Sequence, residues 1–204
     1  MSKEIKPVVE ELVRHLMVAL GEDPHRPGLE KTPARTSAAY GKVLEGYGRS
    51  LKEEITTFDN DYGYSELVYS GGINFFSMCE HHILPFFGKA YIAYIPNDHI
   101  IGLSKMARAT DIYSRRLQQQ ERLTTQIANE LDGLLKPKGI IVLLEGKHMC
   151  NMARGVQQVN STMITIARHG LFDDEKKYNQ FMQLVELSKK QIDVSSGTTA
   201  DTGN

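Results

Sequence analysis

Only two cysteines, Cys79 and Cys150, occur among 204 residues. A single pair makes no disulfide framework, and in a reducing compartment thiols serve as buried filler, catalytic groups or metal ligands more often than as cross-links. Neither sign of charge is in excess: 24 Lys and Arg against 25 Asp and Glu leave a formal net charge of −1. Bulk basicity therefore gives no support to a nucleic-acid partner, although a local cluster of basic residues can still hold an anion. Long apolar runs are also missing. The most apolar stretch, Gly139 to Leu144, falls far short of the roughly 20 residues a bilayer span requires. The polar start, Met1 to Lys6, precedes no signal-peptide core. The expectation is a cytoplasmic chain with no membrane partner. No repeat at solenoid spacing is visible, and 41% apolar with 24% charged residues is the composition of an ordinary globular chain. The length allows one domain, or one with a small appendage.

Apolar residues Val8, Val9, Leu12, Val13, Leu16, Met17 and Leu20 recur at helical spacing up to Gly21, so Lys3 to Leu20 reads as an amphipathic helix. A Pro- and Gly-bearing loop from Glu22 to Lys31 follows. Thr32 as cap with Pro33 behind it then opens a helix to about Leu44. From Glu66 the pattern turns to strands: Glu66 to Ser70, a Gly71-Gly72 bulge, Ile73 to Met78, and Gly88 to Ile95. Ser104 reads as the cap of a helix to Tyr113, and a second helix runs to about Leu135, stopped by Lys136-Pro137. Strands at Gly139 to Glu145 and Ser161 to Arg168 and a helix from Asp173 to Gln191 complete the order. The expected architecture is α+β. It comprises an N-terminal helical region over 1–60, a domain over 61–192 whose antiparallel sheet of two hairpins carries two intervening helices, and a disordered tail over 193–204. Such a four-stranded sheet, one face covered by helices and two edges open, favours self-association.

Three of the seven histidines lie within three residues of a cysteine: His81 and His82 after Cys79, and His148 before Cys150. A thiolate pair with one imidazole suits tetrahedral Zn²⁺, and three protein ligands leave a fourth position for water, the catalytic arrangement. Such water ionises near neutral pH. Taken singly, each cysteine is as well explained as apolar filler, and His81 and His148 as satisfied structural histidines. Spacing alone leaves both explanations open. Lys105 and Arg108 share one face of the first turn after Gly102-Leu103-Ser104, a place suited to a phosphate, although ordinary solvated charges fit there too. Arg154 adds a third cation. Gln120-Glu121 opens the next helix; an amide beside a carboxylate can read the edge of guanine, and a capping or solvated Glu is the plainer alternative.

The segments Cys79-Glu80-His81-His82, Tyr94-Ile95-Pro96, Ile101-Gly102-Leu103-Ser104-Lys105, Gln120-Glu121-Arg122-Leu123-Thr124 and His148-Met149-Cys150 through Arg154-Gly155-Val156-Gln157 closely resemble zinc-dependent GTP cyclohydrolase I. The resemblance extends from Gly21-Glu22-Asp23-Pro24 and Thr32-Pro33-Ala34-Arg35 to Gly170-Leu171-Phe172. It implies a tunnelling fold (T-fold) assembled into rings, commonly a homodecamer of two stacked pentamers, and the conversion of GTP and water to formate and 7,8-dihydroneopterin triphosphate. By motif, Cys79, His82 and Cys150 would hold zinc, whose water attacks C8 of guanine. His148 would protonate N7, His81 would act as acid and base in ring opening and the ribose steps, and Ser104 would hydrogen-bond in the rearrangement. Gln120 and Glu121 would hold guanine. Lys105, Arg108 and Arg154 would face the triphosphate, with Arg35 reaching in from a neighbouring subunit.

Some positions depart from the family pattern. Ala38 stands where many members carry a basic residue, Gln158 replaces a common Lys, and Met163 to His169 is poorer in Thr and Ser than the usual final strand. An extended N-terminal regulatory arm is lacking, so control by a feedback protein is not expected. A nitrile reductase of 7-deazaguanine synthesis shares the fold but uses one catalytic Cys with NADPH, against which two ligand cysteines and His82 argue. A non-catalytic purine or pterin binder with structural zinc would have no use for His81 and His148.

Overall fold

Helical periodicity at the N-terminus gives α1 (Ile5–Ala19) in the computed structural model, which describes residues 5–197. Lys3 and Glu4, expected in this helix, lie outside the described residues. Gly21, at φ 81°, ends the helical course: its amide bonds the Val18 carbonyl, and that of Glu22 returns to Met17. Helix α1 packs on α2 (Thr32–Val43), where the buried Ser37 hydroxyl donates to the Lys6 carbonyl. The cap of α2 is not Thr32, which is already helical. The cap position falls on Lys31, with no side-chain bond, and Pro33 sits within the first turn, where a missing amide hydrogen costs nothing.

After a 3₁₀ turn at Glu45–Gly48 come the short α3 (Leu51–Glu54) and β1 (Thr57–Asp59). The first 60 residues are thus not wholly helical. The main sheet follows with β2 (Val68–Cys79) and β3 (Pro85–Ile95). The small β4 (His99–Ile101) pairs antiparallel with β1. Then come α4 (Leu103–Ser114), the two-residue β5 (Leu117–Gln118), α5 (Gln120–Leu135), β6 (Gly139–His148), the one-turn α6 (Met149–Met152), β7 (Met163–Gly170) and α7 (Glu175–Gly197). The sheet order is β5-β2-β3-β6-β7. Four strands are antiparallel as expected, and β5 adds a fifth, parallel to the last residues of β2. The β2–β3 register shifts between Ser70 and Ile73, so the Gly71-Gly72 bulge is present, with Gly72 at φ 69°.

Strand alternation divides the core in two. Ala90, Ile92 and Tyr94 face α4 and α5, meeting Met106, Ile112, Leu123, Ile127 and Leu131. Tyr91, Ala93 and Ile95 face the other way, onto Phe172, Phe181 and Val185. Both faces of the sheet are therefore covered, not one. Gly88 to Ile95 is apolar at almost every position, the pattern of a strand buried on both sides. Asp174 caps α7 by accepting from the amides of Lys176 and Lys177. That helix continues through Gly197, beyond the end expected at Gln191 and into the stretch read as a disordered tail. Residues 198–204 lie outside the described residues.

Candidate metal centre and active site

Cys79 is the last residue of β2, and the chain folds back over it: the Ile83 amide bonds the Cys79 carbonyl, and the Cys79 amide bonds Leu84. Ile83 takes a left-handed φ of 52° to make this turn. His82 is thereby swung onto its own strand end, with Nδ1 3.7 Å from Cys79 Sγ. The β3–β6 register sets Phe86 opposite His148, so the end of β6 arrives beside the start of β3, and Cys150 follows in α6. Ligand atoms of Cys79, His82 and Cys150 all lie within 4.8 Å of one another. Thiolate and imidazole donors of one tetrahedral zinc, at about 2.3 and 2.0 Å from the ion, sit roughly 3.5–3.8 Å apart. This group fits a metal ion in spacing and in donor chemistry. Burial, and then the neighbouring Cys79 thiol, push the Cys150 thiol up, while Arg154 opposes them; a divalent cation held by these residues would favour the thiolates.

The turn is tied to the neighbouring helix. Glu80 pairs with Arg122 of α5, whose guanidinium also donates to Gln118 Oε1 and the Leu117 carbonyl, each at 2.9 Å. The Glu80 amide bonds the Gln118 carbonyl. His81 Nε2 accepts from the Gln119 amide at 3.2 Å. His148 lies flat on Phe86, with ring centroids 4.6 Å apart and planes within 5°. Its Nε2 is 2.9 Å from Gln120 Oε1. Burial pushes the His148 imidazole below its usual pKa, and the Glu121 carboxylate only partly restores it.

Cys79, His81, His82, Cys150 and His148 are thus gathered at one end of the sheet. Glu121 stands exposed in the first turn of α5. Gln120, expected on guanine, is a correction: its side chain is 1% exposed and its amide is spent on the Leu144 and Met163 carbonyls and Thr165. Ser104 is also placed otherwise than expected. The cap of α4 is Gly102, and Ser104 lies exposed in the first turn. It lines a shallow groove of about 530 Å³ with Arg108, Arg49, Asp111, Lys42 and Glu45. There Arg108 reaches Glu54 at 3.5 Å, and Lys105 Nζ donates to the Glu54 carbonyl. Arg154 and Arg35 are exposed and do not line that groove. Sequence reasoning missed Phe86, Gln119 and the Glu80–Arg122 pair. Arg122 lies inside a motif already singled out, whereas Phe86 is recognisable only once strand register is known.

The α+β fold, with two thiols and an imidazole gathered at one end of its sheet, defines a candidate metalloenzyme. A family model described as GTP cyclohydrolase I matches residues 9–186. Similar relatives are GTP cyclohydrolase 1 of Deinococcus radiodurans, 49% identical over 87% of this chain and 83% of its own length, and that of Gloeobacter violaceus, 48% identical over 85% and 81%. GTP cyclohydrolase 1 of Bartonella quintana is 47% identical over 88% of each chain. The chain belongs to the GTP cyclohydrolase I family, a family of hydrolases.

Proposed function

We propose that the chain converts GTP and water to formate and 7,8-dihydroneopterin triphosphate, the first step of tetrahydrofolate and pterin synthesis, with zinc held by Cys79, His82 and Cys150. The observation that most supports this reading is the approach of those three ligand atoms to within 4.8 Å of one another at the strand end that also carries His148. When bound, zinc supplies the Lewis acidity that makes water nucleophilic near neutral pH. His148 donates a proton to N7 of guanine and so renders C8 electrophilic. Being half-buried against Phe86, it sheds that proton readily. His81, oriented by Gln119, serves as acid and base in opening the ring and in the ribose steps. Ser104 hydrogen-bonds in the rearrangement. Glu121 accepts from N1–H and the exocyclic amine of guanine, a role it takes without the Gln120 side chain.

The triphosphate carries a charge of about −4, which no single exposed pair could balance. Lys105, Arg108 and Arg154 face it, and Arg35 comes from a neighbouring subunit. Arg108 must then leave Glu54, exchanging one carboxylate for several phosphate oxygens. We further propose a cytoplasmic homodecamer of two stacked pentamers, in which the free edge of β7 and most of the outer edge of β2 are paired. Among the described residues, no helix is long and apolar enough to cross a membrane.

The test is formate release and pterin fluorescence from GTP with and without a chelator. The reading expects about one zinc per chain and turnover abolished by chelation. Normal turnover by metal-free protein would refute it.

A further inference from the structure

The hydrogen-bond directions around Gln120 are fully determined. Thr124 Oγ1 gives its only hydrogen to the Gln120 carbonyl at 2.7 Å, so across the 2.6 Å contact between Thr124 and Thr165 it is the Thr165 hydroxyl that donates. Thr165 Oγ1 is then an acceptor for the Gln120 amide nitrogen at 3.1 Å, alongside the carbonyls of Leu144 at 3.2 Å and Met163 at 2.9 Å. Reversing the amide would set its oxygen against two carbonyl oxygens. The nitrogen end is therefore anchored to the sheet, and the oxygen end faces His148 Nε2 at 2.9 Å. A bare oxygen at that distance requires the hydrogen to sit on Nε2. Turning the imidazole over would present carbon instead, and Phe86 fixes the ring plane from the side. Gly146 keeps the space open, since a Cβ there would lie 2.3 Å from Gln120 Oε1.

We propose that Gln120 is a positioning residue that holds His148 as the Nε2–H tautomer, so that Nδ1 is the nitrogen exchanging a proton with the purine. The donating form is the imidazolium, which has taken a proton from solvent on Nδ1. That proton passes to the N7 lone pair, the N–H electron pair stays on Nδ1, and the neutral imidazole that remains keeps its other hydrogen on Nε2, donated to Gln120 Oε1. This rests on the reading of His148 as the donor to N7, and adds which atom donates and what aims it.

Nitrogen spectra of full-length, zinc-loaded protein carrying ¹⁵N-histidine test the proposal directly, with His148→Asn identifying the signal. In mildly alkaline buffer His148 is expected to show a protonated Nε2 and a bare Nδ1; the opposite pattern overturns the proposal whatever the variants do. In Gln120→Met and Gly146→Ala, kcat for formate release should fall about 10- to 100-fold, with zinc content kept and KM for GTP changed less than about twofold. A raised KM at unchanged kcat would return Gln120 to guanine recognition, and loss of zinc would assign it to the fold; either result overturns the proposal. Wild-type turnover by His148→Ala would instead strike the reading of His148 itself, a failure distinct from a wrong tautomer.

Discussion

The duties proposed for single side chains at the strand ends are separable, and substitutions should separate them. Cys150→Ser removes one of the two soft donors while leaving the sheet intact. It is expected to lose metal on dialysis and to release no formate, with an unchanged elution volume; full metal and activity would strike Cys150 from the ligand set. His148→Ala leaves the three donor atoms untouched. Retained zinc with formate release down about 10²–10⁴-fold is expected, the span attributed to a positioned proton donor, as read by metal analysis beside the formate assay. At this scale the sequence is most legible where chemistry is local. Cys79 and His82 are separated by a single turn, so their adjacency in the chain is their adjacency in space. Gln120 is the opposite case. Its direction is decided by the carbonyls of Leu144 and Met163, which come from two other strands, and no local pattern announces that.

At the scale of elements, α7 and the charged seam between α3 and α4 invite measurement. Phe181 of α7 is fully buried against Tyr69 and Phe172. Phe181→Ala should destabilise the chain by about 3–5 kcal/mol, measured by denaturant unfolding, and a loss below about 1 kcal/mol would show α7 to be peripheral. Its apolar positions Tyr178, Phe181, Met182 and Val185 recur at helical spacing, but which sheet face they cover depends on strand alternation in β3.

The seam is held by Arg49, which donates to Glu54 at 2.7 Å and to Asp111 at 2.6 Å. The Arg49 hydrogen bond holds the Glu54 carboxyl below its ordinary range. Burial pushes the Asp111 carboxyl up, but bonds from Arg49 and Arg115 outweigh burial, and it too ends low. Both groups bind protons less readily folded than unfolded, so the stability they contribute is complete above their unfolded values of about 3.9–4.3 and is lost as pH falls through the folded ones. The melting temperature should drop on acidification below about pH 4.5, and Arg49→Met should flatten that drop. Parallel curves for the two proteins would exclude the seam as the acid-sensitive element.

For the whole molecule, the order of strands and helices is readable because each element has its own period, cap or breaker. The coverage of both faces and the pairing of β5 are not, since they depend on elements distant in sequence. The outer edges of β2 and β7 predict a light-scattering mass about ten times that of one chain, given the ring assembly proposed above. A monomer at micromolar concentration would contradict it.

The two halves of the metal group meet only through the alignment of β3 with β6, which sets Phe86 across from His148. Slippage of that alignment by one position would turn every side chain of β6 to the opposite face and carry Cys150 away from Cys79. With zinc held as proposed, a chain threaded out of register would lack the site, so capacity to take up metal under saturating zinc would report on register, which circular dichroism does not see.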